Sequence, residues 1–207
     1  MTKRSPGDRS VTVTVTGVLL AAGAGTRMGF PKALARDPDG TSWLVRSVAV
    51  LREGGCDRVV VVLGARAEEA KALVPPDVQV VVAEDWADGM AASLRCGLQA
   101  LDVGELAVLT LVDLPDVRPD VVERVLAPAS GPTALVRASY DGLPGHPVVL
   151  GRDHWAAVAD DVVGDQGAQR YLRRHRCAMV ECGDLATGAD QDEPPYRSSG
   201  DGASGAT

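Results

Sequence analysis

The sequence predicts a three-layer α/β fold, with a mostly parallel sheet and helices on both faces, on three observations. Strand-like and helix-like stretches alternate through most of the chain, the order that builds parallel sheets through helical crossovers. Hydrophobic residues make up 45% of the 207 but aromatics only 3%, with a single Phe. The core must therefore be built from Val, Leu and Ala, a mix that suits strands buried on both faces. Finally, a Gly-rich loop follows directly on the first strand, at the carboxyl edge where open α/β sheets bind ligands.

Taken in order, Val11 to Ala21 alternates Thr with Val and then turns fully apolar, as a first strand does, and residues 22–31 form the Gly-rich loop. Thr41 and Ser42 are candidate caps for a helix WLVRSVAVLRE, and Gly54-Gly55 stops it. RVVVVL at 58–63 is a short buried strand, and a helix from about Arg66 to Leu73 must end before Pro75-Pro76. Val78 to Ala83 is a strand and Gly89 to Leu101 a helix. Ala107 to Val112 is a central strand ending at Asp113, and Pro119 opens a helix running to about Leu126. Strands are expected at 133–139 and 147–150, helices near 153–162 and 167–175, and a last strand at 177–181. The domain expectation is a flexible segment over 1–10, one domain over 11–193 and a disordered tail over 194–207, where Ser, Gly, Pro and Asp accumulate.

Bulk composition excludes several classes. The net charge is −7 and no Lys/Arg-rich run exists, which argues against a nucleic-acid partner. No apolar run reaches the ~18 residues of a membrane helix. Cys56, Cys96, Cys177 and Cys182 have wide, irregular spacings, unlike a zinc site and in keeping with small buried residues in a reducing compartment. Lys3, Arg4 and Arg9 before the first apolar run imitate a secretory signal, but the Thr alternation and the unbroken passage into the loop favour a strand.

The chemistry concentrates in loops. In LLAAGAGTRMGFPKAL (19–34), Gly23, Gly25 and Gly29 let backbone N–H groups approach a phosphate, and Arg27 and Lys32 add two cations. A triphosphate needs both features. The third Gly comes one place too late for the dinucleotide fingerprint G-x-G-x-x-G, and Lys32 follows Pro31 rather than opening a Walker helix. Asp113, at the end of the central strand, either helps to hold a Mg²⁺ ion or caps the following turn, and Asp116 reads as a turn residue. Gly89, Met90 and Ser93 open a helix, a natural phosphate seat. Trp86 before them either stacks on a ring or anchors the loop. His146, in a GHP loop, is either a base or substrate contact or a turn residue. Asp165 either caps the helix beginning near Ala168 or contacts a ligand. His154 and His175 are expected on helix surfaces, without a role.

LAAGAGTRMGFPK resembles the signature of nucleotidyltransferases that act on small phosphorylated metabolites. The resemblance is nearest to the molybdenum cofactor cytidylyltransferase group of the MobA-like family. DWADGMAASLRCGL (85–98), VDLPDV (112–117), GLPGHPVVL (142–150) and GDQGAQRYL (164–172) resemble that group's later motifs in order. The resemblance implies a Rossmann-like sheet of the nucleotide-diphospho-sugar transferase type and a cytoplasmic, Mg²⁺-dependent enzyme. It would move CMP from CTP to a molybdopterin-type acceptor, which a molybdoenzyme or its chaperone would then receive. It further implies nucleotide binding by Ala21, Ala22, Gly23, Gly25, Thr26, Arg27 and Lys32, with catalysis by Arg27, Lys32 and Asp113. Acceptor binding falls to Trp86, Gly89, Ser93, His146 and Asp165, and metal binding to Asp113 with Asp190 or Asp192. Base-reading residues are expected near 21–24 and within 64–85. The sequence departs from the family pattern at Ala83 and Glu84 where Asn is common, at Leu114 where Gln is common, and in GADQDEPPY (188–196). Those departures bear on the acceptor more than on the reaction. Two rival readings remain open: a non-catalytic nucleotide or cofactor carrier, and an NAD-dependent oxidoreductase.

Overall fold

The computed structural model describes residues 13–192. The expected flexible segment at 1–10 and the tail from 194 lie outside the described residues. Seven strands form one sheet: β1 Val15–Ala21, β2 Arg58–Leu63, β3 Gln79–Val82, β4 Leu106–Leu111, β5 Leu135–Tyr140, β6 Leu143–Gly151 and β7 Ala178–Glu181, in the order β3-β2-β1-β4-β6-β5-β7. Pairing is parallel throughout except that β6 runs against both β4 and β5.

Alternation along the strands divides the core between two faces. Leu19, Ala21, Val59, Val61, Val108 and Val149 face the layer of helices α1 (Trp43–Glu53) and α4 (Pro119–Leu126). Val18, Leu20, Val62, Leu109, Val148 and Leu150 face α3 (Met90–Gln99), α5 (Arg152–Asp161) and α6 (Gln169–Arg174). Both clusters are dominated by Val, Leu and Ala, as the scarcity of aromatics requires. Helix α1 begins as expected, with the Ser42 hydroxyl accepting from Val45 N at 3.5 Å, and ends at Gly54.

Two expectations change. The helix foreseen over 66–73 shortens to α2, Ala67–Lys71. Arg66 sits in the left-handed region at φ 53, and Leu73 and Val74 make only tight turn bonds before the two prolines. The segment read as a GHP loop is the start of β6, so His146 stands on a strand. The cause is a two-residue hairpin at Asp141-Gly142, both at positive φ (51° and 77°), with Tyr140 paired directly to Leu143. Asp-Gly is the dipeptide that favours this turn, so the signal for it lies in the sequence itself. No described helix is long and apolar enough to cross a membrane.

Candidate functional site

A cavity of about 480 Å³ opens at the carboxyl edge of β1 and β4. Its first wall is the Gly-rich loop. Ala22 O accepts from Ala65 N at 3.0 Å, which ties the loop's start to the end of β2. Gly25 then turns at φ 63, and a Cβ there would lie 1.9 Å from the Phe30 carbonyl oxygen, so only glycine fits. Gly29 N closes the turn on Gly25 O at 2.9 Å, and a single 3₁₀ turn over Lys32–Leu34 aims the Lys32 side chain back beneath the loop. Ala21, Ala22, Gly23, Gly25, Thr26, Arg27 and Lys32 all line the cavity.

The floor is charged. Lys32 Nζ donates to Asp113 Oδ2 at 2.6 Å and to Asp192 Oδ1 at 2.7 Å, while Arg27 reaches Asp192 Oδ2 at 2.5 Å. The Lys32 and Asp113 side chains are only 17% and 15% exposed. Burial disfavours the Lys32 ammonium, but hydrogen bonds to Asp113 and Asp192 outweigh it and hold its pKa above the ordinary value. Asp192 is held below the usual carboxylate range by hydrogen bonds from Lys32 and Arg27. Asp190 is pushed up, first by burial and then by the charge of Asp113.

The C-terminal segment reaches this floor through two anchors far away in sequence. Asp116 Oδ2 accepts from both Thr187 N and Thr187 Oγ1 at 2.6 Å, and Asp113 O accepts from Gln191 N at 2.9 Å. Asp116 is thus a positioning residue rather than a local turn residue. The sequence carries no local signal for this, because Thr187 is 71 residues away. The same strap separates the two carboxylates left open above: Asp192 lines the cavity, while Asp190 lies behind it within electrostatic reach of Asp113 and Lys32.

These carboxylates suit a divalent cation. Asp113 and Asp192 turn hard oxygen donors towards one point, now held by Lys32, and the charge of Asp113 adds to burial in raising Asp190. Among the described residues no group of three His, Cys, Asp or Glu side chains forms a ready-made metal cage. Such a site matches an ion held by one or two carboxylates plus phosphate oxygens.

The opposite wall is built by α3 and the 164–165 turn. Gly89, at φ 107, caps α3, and a Cβ there would lie 2.5 Å from Asp165 Oδ1. Ala91 N donates to Gly164 O at 2.8 Å, which docks that turn on the start of the helix. Asp165 does not cap α6, whose N-cap is Ala168 without a side-chain bond, so the capping alternative fails. Trp86, Gly89, Ser93 and Asp165 line the cavity. Trp86 also packs against the α3-side core, so it both anchors and lines. Of the two stretches expected to read the base, 21–24 lines the cavity and 64–85 stands outside its lining, which continues at 86–93. Gly64 packs instead against Trp86 and the Ala22 carbonyl.

His146 is not among the cavity residues. Its carbonyl accepts from Tyr140 Oη at 2.6 Å, and its imidazole pKa is pushed down to about 4 by burial and by Arg137, with Asp113 opposing. An imidazole held neutral is a weak base, so the geometry disfavours His146 as a general base. His154 and His175 are engaged rather than idle. His154 Nδ1 lies 2.8 Å from Tyr171 Oη, and His175 stacks on the Tyr171 ring at 3.9 Å.

Comparison with known proteins follows the same lines. Residues 17–179 match the family model of the MobA-like NTP transferase domain. The chain is 39% identical over 198 residues to nicotine blue oxidoreductase of Paenarthrobacter nicotinovorans, covering 88% of this chain and 95% of that one. It is 37% identical over 125 residues to a probable molybdenum cofactor guanylyltransferase of Rhodopirellula baltica, covering 59% of each. Among solved structures, the Rv0371c homologue of Mycobacterium sp. strain JC1 superposes with a TM-score of 0.76 at 30% identity, over 86% of this chain and 90% of that one. Rv0371c of Mycobacterium tuberculosis H37Rv in complex with manganese gives 0.66 at 29%, over 82% and 87%. The chain belongs to the MobA-like NTP transferase family and is an enzyme of the nucleotidyltransferase class.

Proposed function

We propose that this chain is a Mg²⁺-dependent nucleotidyltransferase that moves CMP from CTP onto a terminal phosphate of a molybdopterin-type acceptor. The observation that carries the reading is the Lys32 ammonium fixed between Asp113 and Asp192 beneath a Gly-rich loop. The loop N–H groups, Arg27 and Lys32 cradle the triphosphate. An acceptor phosphate oxygen forms the new bond to the α-phosphorus, the bond from that phosphorus to the bridging oxygen breaks, and pyrophosphate leaves. Asp113, with Asp192 nearer the cavity than Asp190, would hold Mg²⁺, which neutralises charge developing on the phosphates. Lys32, held between two carboxylates, opposes the same charge from a fixed position, and the exposed Arg27 adds a second cation. The start of α3, with Ser93, Trp86 and Asp165, forms the acceptor wall.

CTP is favoured by the resemblance to the cytidylyltransferase group that the W-x-x-G-M-x-x-S-L and G-x-x-G-H-P segments carry. The relative named as a guanylyltransferase makes GTP the competitor. The test is pyrophosphate release with molybdopterin and each of the four NTPs, with and without Mg²⁺. Mg²⁺-dependent release with CTP alone supports the reading, release with GTP alone changes the product, and nucleotide binding without release favours a carrier.

A second reading rests on one observation: the 39% identity that spans 95% of a relative named as an oxidoreductase. On it the Gly-rich loop would hold the diphosphate of a reduced nicotinamide nucleotide, which would supply a hydride, and Trp86 would pack against an oxidised ring compound. Loss of NADH or NADPH absorbance on adding a quinone-type acceptor, with no pyrophosphate release from any NTP, selects it.

A further inference from the structure

Beyond the cavity, one side chain has no electrostatic justification within the described protein. Arg137 stands in the middle of β5 and is 7% exposed. Its neighbours Val136 and Ala138 belong to the α1-side core, so Arg137 points to the face covered by α3, α5 and α6. Its one hydrogen bond among the described residues is from Nη2 to Gly145 O at 3.1 Å, and its Nε–H is buried with no partner. No described carboxylate lies within ion-pair distance.

An Arg does not escape burial by losing its proton, so an unpaired buried guanidinium is a standing penalty unless an anion joins it. The surroundings deepen the deficit. Arg173 is exposed, close enough to be felt by Arg137, and forms no described ion pair. The Cys177 thiol is pushed up to about 11 by burial, so it supplies no negative charge at neutral pH. His146 is held neutral.

Position gives this charge a purpose. Leu109 pairs with Val148 on β6 and Val148 with Arg137 on β5, so Arg137 stands two strands from β4, whose last residue Leu111 and the following Val112 and Asp113 line the cavity. The bond to Gly145 draws the guanidinium towards the carboxyl edge, where Leu111 and Asp113 line the cavity. His146 responds electrostatically to both Arg137 and Asp113.

We propose that Arg137, reinforced by Arg173, is an anion-recognition site for the acceptor, taking a carboxylate or phosphate group remote from the oxygen that reacts. The inference rests on the two-substrate reading above. It defines the acceptor as a molecule with a second anionic group, which the planar guanidinium receives in bidentate fashion. The site acts on binding and orientation, not on bond making.

The test is thermal unfolding of the full chain in a zwitterionic buffer, titrated with inorganic phosphate and separately with malonate, for the parent, Arg137→Met and Arg137→Lys. The contribution of the Gly-rich loop to phosphate binding is common to all three. Arg137→Met is expected to bind one or both anions at least about tenfold more weakly, as loss of a charge-assisted bond implies. Arg137→Lys should be intermediate. Without anion, Arg137→Met should melt no lower than the parent, because an unpaired buried charge has been removed. Equal titrations in parent and Arg137→Met overturn the proposal. So does an Arg137→Met that melts several degrees lower or fails to fold, since Arg137 would then be structural. A parallel CTP titration should shift parent and variant alike. A chain with no response to any NTP refutes the nucleotide reading while leaving the anion comparison valid.

Discussion

Replacing Lys32 by Met leaves two carboxylates facing each other across the position of the lost ammonium, with Asp190 behind them. Lys32 pairs with Asp113 at 2.6 Å, where both side chains are largely buried, and with Asp192 at 2.7 Å, where the partner is 45% exposed. Removing one partner of a fully buried pair costs about 3–5 kcal/mol, and breaking an exposed pair about 0–1. The mixed geometry here places Lys32→Met at about 2 kcal/mol, or roughly 4–8 °C in Tm for a chain of this size. The sign of two dependences follows. Lowering the pH should narrow the deficit, because protonating Asp190, already raised, relieves the repulsion. Adding Mg²⁺ should narrow it too, because the ion takes the place of the lost charge, and at about 100 times its Kd it adds about 2.7 kcal/mol. The assay is differential scanning fluorimetry of parent and variant at pH 5 and 7.5, each with and without millimolar Mg²⁺. A variant that melts within a degree of the parent at pH 7.5, or whose deficit Mg²⁺ leaves untouched, refutes the view that Lys32 neutralises a cation-binding floor.

Other substitutions probe separate steps. Asp113→Ala or Lys32→Ala should lower turnover by on the order of a hundredfold or more while leaving a cooperative unfolding transition, and near-normal turnover in both removes the catalytic assignment. At Gly23 a Cβ meets no protein atom within 4 Å; Gly23→Ala should fold normally yet weaken NTP binding by roughly tenfold or more, through displaced phosphates, and calorimetry showing an unchanged Kd contradicts the phosphate loop. The His146 imidazole has its pKa depressed from 6.5 to about 4. The stability it contributes is therefore complete above pH 6.5 and is withdrawn as the pH falls towards 4, by at most about 3 kcal/mol and less where water reaches the half-buried ring. Urea midpoints for His146→Gln should consequently fall less between pH 7 and 4.5 than those of the parent, and parallel losses would show the ring to be solvated. Asp116→Ala removes both bonds to Thr187; hydrogen exchange at the Gln191 amide should speed up by about tenfold or more as the strap loosens, and unchanged protection means the strap is held elsewhere.

Much of the molecule was legible because its determinants are local. The Val-rich strands, the Ser42 cap with its Gly54 stop, and Pro119 at the start of α4 each state a conformational preference within a few residues. The Gly-rich loop is likewise a local message: Gly25 is required by a contact only five residues on, at Phe30. Its place after β1 is enough to direct attention to the carboxyl edge. The Asp-Gly turn that makes β6 antiparallel is equally local, although Gly145 and Pro147 just beyond it carry the opposing signal of a loop.

What only the tertiary structure decided depends on pairs that sequence spacing does not connect. Asp190 and Asp192 are the same residue type, two positions apart. Asp192 meets Lys32 across 160 residues and Arg27 across 165, because Asp116 and the Asp113 carbonyl fix the strap in one register. Only the fold shows that Asp165 leaves α6 uncapped and lines the cavity, and that Trp86 stands between core and cavity. Arg137 reads in sequence as an ordinary charge within a strand. Its meaning lies in the lack of a carboxylate around it, and an electrostatic deficit is a property of the folded surroundings, which no run of neighbouring residues encodes.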